Sequence, residues 1–130
     1  MADTKERRAC ERFVVSGATV HFREEGFLFS GNYSKEAFPT VDMSRGGLRF
    51  LSNVPLKIAA RVTLKVVIPG REVPLLLKGR VRWTSTNPGK SYKYQTGVQF
   101  APYGGNRGDN DHSTLQDIIA LEEKFTKKSV

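Results

Sequence analysis

Two short runs of residues carry side chains able to do specific chemistry. The first is Glu6-Arg7-Arg8-Ala9-Cys10-Glu11-Arg12, in which Arg7, Arg8 and Arg12 stand just ahead of the first apolar stretch. A guanidinium is planar, donates paired hydrogen bonds to a phosphate or to the O6/N7 edge of guanine, and stacks its flat face on a purine. Lysine would offer only a point charge. Alone, the run also fits a solvated arm whose arginines and glutamates alternate. The second run is Asp42-Met43-Ser44-Arg45-Gly46-Gly47. The Asp42 carboxylate accepts two hydrogen bonds and so suits the N1–H and N2–H donors of guanine. Ser44 can donate to a phosphate oxygen or close a turn, and Gly47 allows positive φ or the close approach of a ligand. Alone, this run also fits an ordinary turn between strands.

The composition removes other chemistries. One cysteine, Cys10, and two histidines, His21 and His112, leave no set from which a zinc or iron–sulfur site could be built, and no disulfide framework. Two isolated histidines support no nucleophilic triad, so the expectation is a protein that is not an enzyme, holds no cofactor and binds no catalytic metal. No apolar run approaches the roughly 18 residues of a membrane span, and the expected location is the cytoplasm.

The 130 residues, with 21 Lys and Arg against 13 Asp and Glu, suit one domain with a real core. The formal charge of +8 is unevenly spread. Nine bases and one acid, Glu72, lie between Lys57 and Tyr94, while the rest of the chain is balanced. That segment suggests an anionic partner or a well-solvated strand face.

The elements that must position the two runs follow from a hydrophobic period of two. Strands are expected over 14–23, 40–42, 48–51, 62–68, 73–83 and 92–100, with Trp83 on the apolar face of its strand and Lys78, Arg80 and Arg82 on the other. The stretch 24–38 has no clean period and reads as a hairpin or a long loop. A capping pattern at 113–116 opens a helix with an apolar stripe of Leu115, Ile118, Ile119 and Phe125. The expected architecture is all-β with one C-terminal helix, a small antiparallel β-barrel of about six strands. Its parts are a flexible arginine arm (1–12), the barrel (13–101), a Gly- and Asn-rich linker (102–111) and a helix packed on the barrel (112–130).

In this order and spacing, Arg8-Ala-Cys-Glu-Arg12 and Asp42-Met-Ser-Arg-Gly-Gly47 resemble the paired motifs of the PilZ domain family, bacterial receptors for cyclic di-GMP. Gly79-Arg-Val-Arg-Trp83 and Gly97-Val-Gln-Phe100 look like that family's later strands. The resemblance implies a barrel whose arm folds over cyclic di-GMP held against the Asp42–Gly47 turn. Arg8 and Arg12 would contact guanine and phosphate, Asp42 would read a guanine edge, and Ser44 and Gly47 would shape the turn. Arg7 occupies the place that the family associates with a stacked ligand dimer, which implies as many as two cyclic di-GMP per chain. The signal would pass to an effector protein when the arm becomes ordered.

Two other readings differ in class. A barrel binding single-stranded nucleic acid would use Lys78, Arg80, Arg82 and Lys93 with Tyr92 and Tyr94, but the period puts rings and cations on opposite faces, which argues against nucleic acid as a partner. A protein-only adaptor would not need the intact arginine and aspartate motifs.

Overall fold

A computed structural model of the chain describes residues 11–26, 31–87 and 91–126. Among the described residues six strands, β1 (Thr19–Glu24), β2 (Phe38–Met43), β3 (Gly47–Ser52), β4 (Arg61–Val67), β5 (Leu75–Thr86) and β6 (Tyr94–Phe100), precede one helix, α1 (His112–Thr126). They close into a barrel in the order β1-β2-β3-β6-β5-β4 with every pairing antiparallel. The closed six-stranded barrel with its C-terminal helix is the architecture that the alternation implied.

Alternation sets the inside. Along β5, Leu75, Leu77, Gly79 and Val81 are buried while Leu76, Lys78, Arg80 and Arg82 face water. Val20, Phe50, Leu64, Val66 and Leu77 are wholly excluded from solvent. At one end Phe22 stacks on Phe38 with ring centroids 5.8 Å apart and tilts against Phe50 at 5.9 Å. Each such ring removes enough apolar surface from water to contribute on the order of 2 kcal/mol.

Several local expectations change. The strand read over 14–23 is broken by a turn at Ser16-Gly17, where Gly17 takes φ 83° and the Ala18 amide donates to the Val15 carbonyl at 3.1 Å. The turn inserts one residue and shifts the phase, so Phe13 and Val15 are buried before it and Ala18 and Val20 after it, while Val14 is exposed. Val73 lies outside β5 and is exposed, because the turn after Pro69 extends to Pro74. In 31–37 the chain runs back beside β1: the Ser34 amide donates to the Phe22 carbonyl at 2.8 Å, and the Ser34 carbonyl accepts from His21 Nδ1 at 2.8 Å.

The segment read as a linker is tightly held. Asn110 is buried and accepts the Lys78 amide on Oδ1 at 2.7 Å, while Nδ2 donates to the carbonyls of Lys78 and Ala101, each at 3.0 Å. Its amide thus takes the place of a strand neighbour for β5. Helix α1 follows Asp111, whose carbonyl accepts the amides of Thr114 and Leu115, so Ser113 lies inside the first turn. Ile118 is buried and Leu121 packs on the core, whereas Phe125, although it continues the 115/118 face, is exposed in the last turn of the helix. Two ion pairs tie α1 to the barrel, Arg71 to Asp117 at 2.9 Å and Arg45 to Glu122 at 2.8 Å.

Candidate functional site

Just after the arginine arm, the chain meets β2 at an isolated bridge. Phe13 and Met43 exchange backbone hydrogen bonds of 2.8 and 2.9 Å, and Phe13 itself is buried. Arg12 is thereby held beside Asp42, and its Nη1 donates to Asp42 Oδ1 at 3.0 Å.

Asp42 has a second cation. In the β2–β3 hairpin Asp42 pairs with Arg49, whose Nε donates to Oδ1 at 2.8 Å while Nη2 donates to Oδ2. The carboxylate is buried, with 9% of the side chain exposed, against 33% for Arg49 and 49% for Arg12. Burial pushes the Asp42 carboxyl upward, but the hydrogen bonds and charge of Arg49, then those of Arg12, outweigh it and hold the group below its ordinary range. The hydrogen bond to Asp42 raises Arg49 in turn. Three of the roughly four acceptor sites of the carboxylate are occupied by these guanidinium groups, leaving about one for another donor.

The turn between β2 and β3 is closed locally. The Ser44 amide donates to the Gly47 carbonyl at 2.8 Å, and the Ser44 hydroxyl accepts the Gly46 amide at 3.2 Å. Gly47 is required by close approach and not by positive φ: a Cβ there would lie 2.4 Å from the Val98 carbonyl oxygen. Arg45 leaves the turn in the other direction, with Nε on Glu122 of α1 and its carbonyl accepting the Tyr103 hydroxyl at 2.6 Å. The turn thus touches both the cleft and the C-terminal helix.

Trp83 departs from its expected place. The β5–β6 register shifts between Val81 and Trp83, so that Val81 pairs with Val98 but Trp83 with Gly97. This bulge carries the indole out of the core and onto the outer face. There it lies across Gly97, where a Cβ would come within 2.3 Å of the indole Nε1. Arg82 also faces outward and donates to the Gln99 side chain.

These groups share one cleft of ≈ 330 Å³, bordered by Arg12, Ser44, Gly47, Arg49, Arg82 and Trp83, with Gly97 and Gln99 on its β6 side. Its size is at the lower end for small-molecule sites. Among the described residues that line it there are three guanidinium groups and an indole, but no carboxylate. Arg12, Ser44 and Gly47 come together there as sequence-derived candidates, and Asp42 holds two of the lining arginines from behind. Arg7 and Arg8 lie outside the described residues, as does Cys10. Sequence reasoning missed Arg49, Trp83 and Gly97 as site residues. Counting back from a tight Ser44–Gly47 turn puts Arg49 opposite Asp42 and could have found it; nothing in the sequence marks the bulge that turns Trp83 outward.

Of the outward cations of β5, Arg82 borders this cleft and Lys78 and Arg80 do not. Lys78 and Arg80 are exposed, whereas Tyr92 packs edge-on against Phe38 with centroids 6.0 Å apart. Tyr92, a ring of the nucleic-acid reading, is thus engaged with the core and not with those cations.

Residues 6–120 match the model of a family described as PilZ domain. Among solved structures, the chain is similar to one titled "Structure of Bacillus subtilis Inhibitor of motility (MotI/DgrA)", with a TM-score of 0.56 and 17% sequence identity. The similarity covers 91% of this chain and 52% of that one, so this chain spans about half the length of that neighbour and shares its fold. No curated protein matches the sequence.

Proposed function

The chain belongs to the PilZ domain family, and from that premise we propose that it is a non-enzymatic receptor that binds cyclic di-GMP in the Arg12–Arg49–Trp83 cleft and relays its presence to an effector protein. The observation that carries this reading is the convergence of three guanidinium groups and an indole on one cleft whose described lining holds no carboxylate. Cyclic di-GMP presents two phosphodiesters and two guanines, and these are the groups that arginine forks and a flat indole recognise. Arg12 is half exposed and, among the described residues, donates one hydrogen bond, to Asp42, so it exchanges that carboxylate for a phosphate or guanine at little cost. Arg49 stays on Asp42 and presents its outer edge. The role of Asp42 is to orient these arginines, with about one acceptor site left for a guanine donor. Arg8 completes the arm's grip, and Arg7 provides for a second, stacked cyclic di-GMP.

Relay follows from ordering. The arm enters the barrel at the Phe13–Met43 bridge, so a ligand that gathers Arg8 and Arg12 fixes the chain on the barrel's outer surface and creates a new face of arm, ligand and β-strand. The shift in partner affinity is bounded by the ligand's differential binding to the open and closed arm. No described helix is long and apolar enough to cross a membrane, and the receptor is proposed to work in the cytoplasm.

Trp83 is the chain's single tryptophan, so its fluorescence reports the cleft directly. Titration with cyclic di-GMP should give a saturable change that is absent in Arg12→Ala and much smaller with cyclic di-AMP. An unchanged Trp83 signal across the titration would reject the cleft as the site.

A further inference from the structure

A second cleft of ≈ 700 Å³ lies on the outer face of β4 and β5, bordered by the loop from Ala101 to Asp109. Five cations line it, Arg23, Arg61, Lys78, Arg80 and Arg107, against two acids, Glu25 and Asp109. Both acids are engaged: Glu25 accepts Arg23 Nε at 3.1 Å and the Thr63 hydroxyl, and Asp109 accepts the Asn106 amide at 3.1 Å. Arg61, Lys78 and Arg107 have no carboxylate partner among the described residues, and Arg80 donates to the Ala59 carbonyl at 3.1 Å. In the β4–β5 register Arg61 stands directly opposite Arg80. Like charges so placed destabilise a sheet, and an anion between them would offset that cost.

We propose that this cleft is the docking site for an extended acidic segment of a partner protein. Lys78 and Arg80 are two residues apart on one face of β5, which spaces them roughly 7 Å along the strand, the same repeat as alternate side chains of an extended peptide. Carboxylates at alternate positions therefore meet these two cations in step, with Arg61 and Arg107 flanking them. A single-stranded nucleic acid fits less well. The described lining holds one ring, Phe100, which is 6% exposed and offers no face for a base. The partner's existence rests on the relay reading above, but the five cations are separate from the cyclic di-GMP cleft. Gln99 borders both, and Arg82 of the first cleft donates to it, so the two sites are neighbours across one side chain.

The test is fluorescence anisotropy of the full chain with a labelled peptide of alternating Glu and Thr, with labelled oligothymidine alongside. The peptide is expected to bind in a salt-sensitive manner, and the Arg61→Ala/Arg80→Ala double variant to bind it about tenfold more weakly, the loss of two exposed ion pairs. Arg107→Ala, in the loop, should weaken it independently. Lys35→Ala/Lys124→Ala removes the same charge elsewhere and should leave peptide binding unchanged. Cyclic di-GMP titrations of the Arg61→Ala/Arg80→Ala protein should match the wild type. Absence of peptide binding, an equal loss in the Lys35/Lys124 control, or tighter binding of oligothymidine would overturn the assignment. If cyclic di-GMP binding fails while the peptide results hold, the receptor reading fails and the docking site stands.

Discussion

Asp42 and Arg49 face each other across the β2–β3 hairpin as a two-point fork, with Nε 2.8 Å from Oδ1 and Nη2 on Oδ2. The pair converts a buried carboxylate into a fixed cradle for guanidinium groups, and Arg12 joins it from the arm at 3.0 Å. The geometry of the cleft therefore depends on a residue that itself does not line it.

Arg49→Lys tests the fork while keeping the charge. Lysine cannot make the paired contact, so cyclic di-GMP affinity should fall about tenfold with little loss of stability. Asp42→Ala should weaken binding through both arginines, and calorimetry on the two variants checks the order.

Acid should weaken the same cradle. The folded Asp42 carboxyl is held below its ordinary value, so as pH falls the unfolded chain takes up this proton first and stability drops. The stabilising contribution is complete above the unfolded value, at about pH 5, and fades below about pH 4. Urea unfolding of the wild type and Asp42→Asn should show a gap that closes over that range. A gap independent of pH would contradict it.

The two close-approach glycines should behave differently. Gly47→Ala drives a methyl against the Val98 backbone carbonyl and should cost about 3 kcal/mol in unfolding. Gly97→Ala meets a side chain, the Trp83 indole, which can swing away. Its cost in stability should be smaller, while Trp83 emission and ligand affinity change. Thermal melts and emission spectra of both variants separate the effects.

Asn110→Ala should destabilise by about 2 to 4 kcal/mol, since it removes three hydrogen bonds and leaves the Lys78 amide without its acceptor. The loop beside the second cleft should loosen with it. Hydrogen exchange at Lys78 is the readout.

Much of this was legible in the sequence for physical reasons. A period of two reports which face of a strand is buried, and it gave the barrel, the outward Lys78, Arg80 and Arg82, and the inward Leu75, Leu77 and Val81. Motif spacing brought out Arg12, Asp42, Ser44 and Gly47, which do assemble. What failed were the places where one residue is inserted. The turn at Gly17 inverts the phase between Val15 and Ala18, and the bulge at Arg82 turns Trp83 outward; neither costs enough local propensity to leave a mark. Arg49 was hidden because its importance lies in pairing across the hairpin, and Asn110 because a buried amide substituting for a strand is a tertiary contact.

The central claim is tested most directly by calorimetric titration of cyclic di-GMP into the intact chain and into Arg12→Ala. The account predicts saturable binding with one or two cyclic di-GMP per wild-type chain, and its loss in the variant with the fold preserved. Equal binding by the two proteins, or none by the wild type, would contradict it.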